Sequence, residues 1–136
     1  MMASGERLRC ELVVIGTPVS QQTRRRARLG PWIEMIAKAA LASGAEPFGS
    51  LPVRASITYY FEQTDIDLDN MLKPIMDGLK RAVIDDDKLV VELWARKHRI
   101  ASARLTPGWP SSVVAALISG QEFVYILVEP AIEGRT

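Results

Sequence analysis

The chain has 136 residues, 48% of them hydrophobic and 24% charged, with a formal net charge of +1. That is the size of one ordinary domain able to bury its own core, so residues 1–136 are expected to form a single domain that needs no staples. The lone cysteine, Cys10, excludes an intrachain disulfide, and no apolar run approaches the length of a membrane span.

Met1 to Cys10 is polar and charged, and Leu12 to Ile15 is too short for a signal-peptide core, which points to the cytoplasm. Cys10 to Ile15 reads as a buried first strand ending at Gly16-Thr17-Pro18. Residues 1–30 hold six arginines against two glutamates, and Ser20 to Gly30, with Arg24, Arg25, Arg26 and Arg28, offers nothing to bury. A short basic run is a solvated loop about as often as a ligand site. Beside an acidic centre, phosphate contact is the favoured reading, because nucleic-acid affinity comes largely from such charges. A helix then starts near Pro31 with Trp32, Met35, Ile36, Ala39 and Ala40 on its apolar face, and Ser43-Gly44 ends it. That stripe is core, and Trp32 has no chemical role.

After the turn at Gly49, Ser50 and Pro52, the residues Val53, Ala55, Ile57, Tyr59 and Phe61 alternate with polar neighbours as a half-buried strand. It delivers the chain to Asp65, Asp67 and Asp69. Nine of the sixteen acidic residues lie between Glu62 and Glu92, so this stretch concentrates charge that the whole chain does not carry. Crowded carboxylates destabilise the compact state unless a metal or basic groups offset them. Asp67 and Asp69, two apart in an extended segment, would point to one side. Met71, Leu72, Ile75, Met76, Leu79, Ala82 and Val83 then recur at helical spacing, with Asp69, Lys73, Asp77 and Lys80 on the opposite arc. Asp69 or Asn70 is the expected N-cap. Pro74 then falls in the first turn, where its missing N–H has no intrahelical acceptor to lose.

Leu89 to Arg96 alternates as a third strand ending at Lys97-His98-Arg99, and residues 96–104 hold Arg96, Lys97, Arg99 and Arg104 without an acid. His98, beside two cations, is a surface or phosphate-facing residue. Ala101 to Pro110 is loop-like, Ser111 to Ser119 suits a short helix capped by serine and stopped by Gly120, although Val113-Val114 would equally suit a strand, and Phe123 to Glu129 is an interior final strand before a tail from Ala131 to Thr136. The order gives an α+β domain with a mixed or antiparallel sheet of about four strands and two or three helices.

Paired carboxylates entering a helix, a lysine one turn in and more carboxylates before the next strand make the usual kit of a Mg²⁺-dependent phosphodiester hydrolase, with Mn²⁺ as the alternative hard cation. Asp67-Leu68-Asp69-Asn70, Lys73, Asp77 and Asp86-Asp87 before Val90-Val91-Glu92 resemble the signature of the RusA family of Holliday-junction resolvases. The resemblance spans about 26 residues directly. It implies a crossover junction endodeoxyribonuclease in which Asp67, Asp69 and Asp87, with Asp86 assisting, hold the metal, and Lys73 stabilises the phosphate or positions the water. The plain alternative for Lys73 is an ion pair with Asp69 or Asp77. Asp77 has no vacant role in this scheme and reads as a salt-bridge partner of Lys73 or Arg81. Arg24, Arg25, Arg26, Arg28, Lys97, Arg99 and Arg104 would contact backbone phosphates, which fixes register and carries no sequence information.

Geometry adds an expectation. A helix from Asn70 to Ala82 is roughly 20 Å long, and a five-residue return spans at most about 17 Å. One chain would then struggle to bring Asp85 to Asp87 back to Asp69, whereas a two-fold homodimer would share the metal site between subunits. Three other readings compete with this one. An EF-hand fails because Asn70 stands where glycine is needed and Met76 where the bidentate glutamate belongs. A non-catalytic DNA-binding protein that kept the fold, and a less selective nuclease for branched DNA, stay open.

Overall fold

A computed structural model describes residues 8–63 and 66–131, so Asp65, most of the charged opening and nearly all of the tail lie outside the described residues. The period-two segments form β1 (Cys10–Ile15), β2 (Val53–Phe61), β3 (Val90–Arg99) and β4 (Phe123–Pro130). The period-3.6 segments form α1 (Leu29–Ala42), α2 (Leu68–Lys80) and α3 (Ser111–Ser119). One sheet of order β1-β4-β2-β3 results, parallel between β2 and β3 and antiparallel at the other two seams. This is the mixed-sheet α+β architecture that the element order predicts.

Side-chain alternation decides which face holds which helix. Ala55, Ile57 and Tyr59 of β2 face α1 and α2 and join Trp32, Ile36, Met71, Ile75 and Leu79 in the main core. Tyr60 and Phe123 face the other way and meet Val113 and Ala116 of α3 in a second, smaller cluster. The two helices on the main face approach closely at Gly78, where an added Cβ would lie 2.6 Å from Ile36 Cβ. β1 alternates, with Cys10, Leu12 and Val14 buried, Glu11 and Val13 half-buried and Ile15 exposed, so the reading of Cys10 to Ile15 as a buried strand holds for one face only.

Two helix starts and one cap differ from expectation, while the third helix keeps its expected bounds, Ser111–Ser119. α1 begins at Leu29, which leaves Pro31 in the first turn, where no N–H is needed. α2 begins at Leu68 with Asp67, not Asp69 or Asn70, at the N-cap in extended geometry (φ −69°, ψ 141°). Burial of Ile66 and the Met71 N–H bond to the Asp67 carbonyl, 3.0 Å, draw that start earlier. Asp69 therefore sits inside the first turn, where its charge suits the positive end of the helix. Neither serine caps α3, whose N-cap is Pro110; Gly120 does stop it, in the left-handed region at φ 76°.

The earlier start of α2 changes the meaning of Pro74. It is now inside the helix, four residues beyond Asn70, so it has no N–H to offer the Asn70 carbonyl. That carbonyl instead accepts the backbone N–H of Gln21 at 2.9 Å. A proline in the helix thus leaves an acceptor that docks the basic loop.

Candidate active site: an acidic helix entry and the groove behind it

The turn leaving β2 is tied down by a carboxylate from far along the chain. Glu122 Oε2 accepts the backbone N–H of Glu62 at 2.7 Å and of Gln63 at 3.3 Å, while its Oε1 accepts the hydroxyls of Thr17 at 2.7 Å and Tyr59 at 2.6 Å. Two cations of β3 hold the same segment from the other side. Lys97 Nζ donates to the Ile66 carbonyl at 2.9 Å, and Arg99 Nη1 donates to the Glu62 carbonyl at 3.0 Å while its guanidinium lies 4.8 Å from the Phe61 ring centroid. The expected phosphate contacts Lys97 and Arg99 thus each spend a donor on the stretch that leads into the aspartates. Arg104 is exposed in the loop after β3.

Asp67 and Asp69 are both exposed, and Asp67 makes no side-chain cap bond, so its oxygens are not spent on the helix. Asp69 Oδ1 accepts the N–H of Asn70 at 2.9 Å. One groove of about 350 Å³ runs between α2 and the start of β3, lined by Asp69, Leu72, Lys73, Met76, Asp87 and Leu93. A single chain thus sets Asp69 and Asp87 along the same groove, as the length of the helix alone does not suggest. They stand in different company: Asp69 is in the first turn of α2, and Asp87 pairs with Lys80 of its last residue at 3.5 Å. Asp86 caps the short 3₁₀ turn Asp87–Leu89, its Oδ1 accepting the Lys88 N–H at 2.9 Å.

Lys73 projects from the exposed arc and donates to Asp77 Oδ1 at 2.8 Å. That hydrogen bond and the Asp77 charge, with a smaller contribution from Asp87, hold the ammonium above the usual lysine range. Lys73 is therefore a full cation at any physiological pH, and Asp77 is its salt-bridge partner, one of the two partners expected from the sequence.

Among the described residues no three His, Cys, Asp or Glu side chains converge as a ready metal cage. The donor chemistry nonetheless fits a hard divalent cation, since Asp67, Asp69, Asp86 and Asp87 offer only carboxylate oxygens and all are exposed. His98 is elsewhere, on the opposite sheet face, packed edge-on against Tyr60 at 5.6 Å between ring centroids.

The basic loop is anchored beside this groove. Besides the Gln21 to Asn70 bond, Arg26 Nη1 donates to the Gln21 carbonyl at 2.7 Å, and Arg26–Arg28 form one 3₁₀ turn. Arg24, Arg25 and Arg28 are exposed and make no side-chain bond among the described residues. The chain therefore presents a cationic rim next to an acidic groove. Sequence reasoning singled out the aspartates, Lys73 and the arginines. It missed Glu122, whose only local signal is an acid between the Gly120 helix stop and the final strand, and it gave Gln21 no task.

A family model described as endodeoxyribonuclease RusA matches residues 17–106, well over half of the chain and the whole stretch from the basic loop through the groove to the end of β3. No curated protein matches the chain.

Proposed function

Since the chain belongs to the endodeoxyribonuclease RusA family, we propose that it is a Mg²⁺-dependent endonuclease that resolves four-way DNA junctions by paired phosphodiester hydrolysis in recombination and repair. The observation that carries this reading is the groove shared by Asp69, Lys73 and Asp87, with Asp67 at the N-cap of the helix that forms one wall of it.

Asp67, Asp69 and Asp87, with Asp86 assisting, are the residues that would hold Mg²⁺ or Mn²⁺. When bound, such an ion supplies an activated water and neutralises charge that grows on the phosphate. Lys73 brings ammonium donors to the same groove, and charge at that point favours the more negative transition state over the bound substrate. Arg24, Arg25, Arg26, Arg28 and Arg104, with Lys97 and Arg99, face phosphates and set the register of the strand. The acidic groove alone would repel DNA; the cationic rim offsets that repulsion.

A homodimer completes the scheme. Two cuts in two strands call for two sites, and a two-fold dimer supplies them with matching geometry. The lack of a third converging carboxylate within one chain, among the described residues, supports a metal site completed across the subunit boundary. The edge strand β3, with Val91 48% and Leu93 45% exposed on the groove side, is an apolar seam that a second copy would cover. A monomeric variant that bound Mg²⁺ with undiminished affinity and still cut DNA would end the shared-site reading. The protein is placed in the cytoplasm, the reducing setting that the unpaired, buried Cys10 suits.

The test is incubation with end-labelled four-way junction, flap and duplex DNA, with and without Mg²⁺. Symmetric nicks confined to the junction are expected. Equal cutting of flaps would show a less selective branched-DNA nuclease, and binding without cutting a non-catalytic DNA-binding protein.

A further inference from the structure

The sheet face turned away from α1 and α2 carries a second recess whose chemistry differs from that of the acidic groove. Alternation puts Ser56, Thr58 and Tyr60 of β2 on this face, and the strand register sets Trp94, Arg96 and His98 of β3 directly beside them. On the other side the same three residues meet Leu127, Tyr125 and Phe123 of β4. α3 covers the end at Tyr60 and Phe123. What it leaves is a cavity of about 270 Å³ lined chiefly by Ser56, Thr58, Tyr60, Arg96, Trp109 and Tyr125.

Its walls are rigid aromatic rings. Tyr60 stacks on Phe123 at 4.6 Å, meets the edge of His98 at 5.6 Å, and stands 6.4 Å from Trp109, all between ring centroids. Its cation is uncommitted: Arg96 makes neither an ion pair nor a hydrogen bond among the described residues, although its charge reaches the Tyr60 hydroxyl. No carboxylate lines the cavity. The nearby ones are engaged or displaced. Glu129 pairs with Arg54 at 3.2 Å, Glu11 accepts the Tyr125 hydroxyl and pairs with Arg9 at 3.7 Å, and Glu92 lines the adjoining recess, near Trp94 Nε1 at 3.5 Å. That adjoining recess shares Ser56 with the first and adds Trp94, 64% exposed.

Flat aromatic walls, small hydroxyls and one free guanidinium match a nucleobase with its phosphate. Bases stack on aromatic rings whatever their identity, hydroxyls hydrogen-bond base edges, and arginine takes the phosphate. A base still paired inside a duplex keeps its flat faces covered by its neighbours, so only an unpaired one can use such walls. We propose that this recess binds one unpaired nucleotide of a DNA strand, a second site on the face opposite the acidic groove, with Trp94 as the next stacking surface along the strand. The proposal rests on the reading of the protein as a DNA-cutting enzyme, and adds that it grips unstacked bases where a branch point exposes them.

The test uses the full chain in EDTA, so that nothing is cut, and follows anisotropy of a short labelled oligothymidylate together with tryptophan fluorescence. Binding with quenching is expected, and Arg96→Ala and Trp109→Leu should each weaken it about tenfold. Trp109 packs against the second cluster, so circular dichroism checks its fold; Arg96 is exposed and is the variant free of that concern. Parent-like affinity in a folded Arg96→Ala, or no binding by the parent, overturns the recess even if junction cleavage in Mg²⁺ is normal. A dimer that dissociates on Trp109→Leu also overturns it, because a second copy would then be the occupant. Failure to cut any DNA, with oligothymidylate binding intact, would instead overturn the nuclease reading alone.

Discussion

Glu122→Gln probes how the acidic segment is held. The Glu122 carboxylate receives four hydrogen bonds, two from the hydroxyls of Thr17 and Tyr59 and two from the backbone N–H groups of Glu62 and Gln63. Glutamine keeps one acceptor oxygen and puts an NH₂ where the other was. The hydroxyls can turn to accept from that amide, whereas the main-chain donors cannot change sign. The best arrangement keeps the oxygen on Glu62 and Gln63 and loses the charge assistance of all four bonds. With hydrogen bonds to charged groups contributing about 1.5–3 kcal/mol against about 1 kcal/mol for neutral ones, and part of the site open to water, a loss of about 2 kcal/mol is expected. Urea unfolding reads that loss directly. A loosened turn also shifts Asp67, so the Mg²⁺ concentration for half-maximal junction cleavage should rise about 10- to 100-fold, the usual effect of removing a group that orients metal ligands. A variant that loses the stability yet cuts with parental rate and Mg²⁺ requirement would refute the idea that Glu122 positions the aspartates.

Pro74→Ala restores an N–H to the Asn70 carbonyl, which should stabilise α2 by up to about 3 kcal/mol from helix propensity, less what Pro74 loses as a buried residue. The Gln21 anchor must then share that carbonyl, so trypsin should cut faster within residues 24–28 and junction affinity should fall; unchanged proteolysis would contradict the docking role. Asp67→Asn should abolish cleavage while junction affinity holds or improves, because a metal ligand and a charge repelling DNA disappear together; a filter or anisotropy assay in EDTA checks the second half. Above pH 10 the fold should weaken. Burial chiefly raises the Tyr60 and Tyr125 hydroxyls, helped at Tyr125 by Glu11, and Asp77 raises Lys73, so the native state keeps protons that the unfolded chain releases. Their contribution is complete below the ordinary pKa values and is lost as pH climbs through the native ones. Absorbance titration at 295 nm, which should show Tyr60 and Tyr125 ionising above the ordinary tyrosine range, tests the sign.

Much of the architecture was legible because its signals are local. The alternation from Val53 to Phe61 and the apolar stripe from Met71 to Leu79 fix a strand and a helix, and Gly120 marks a stop that the left-handed backbone there requires. The acidic residues and Lys73 stood out by type and spacing. What stayed hidden depends on contacts between distant residues. Glu122 reaches back 60 residues to Glu62, and the Asn70 carbonyl is useful to Gln21 only because α2 starts at Leu68, a boundary that burial of Ile66 decides. Likewise the return of Asp87 to the groove of Asp69 follows from the path of residues 81–86. There Val83 and Ile84 are buried and turn the chain back under Phe48, whose N–H bonds the Val83 carbonyl at 2.9 Å. Length arguments along a helix axis do not see that path.

The central claim is that carboxylates gathered around α2 hold a divalent ion, and unfolding measured in Mg²⁺ against EDTA tests it without DNA or activity. At about one hundred times its dissociation constant, Mg²⁺ should stabilise the parent by roughly 2.7 kcal/mol. Asp67→Asn and Asp87→Asn should lose most of that gain, while in EDTA Asp67→Asn should be at least as stable as the parent because carboxylate repulsion is relieved. A parent whose stability is the same in Mg²⁺ and in EDTA would contradict the account.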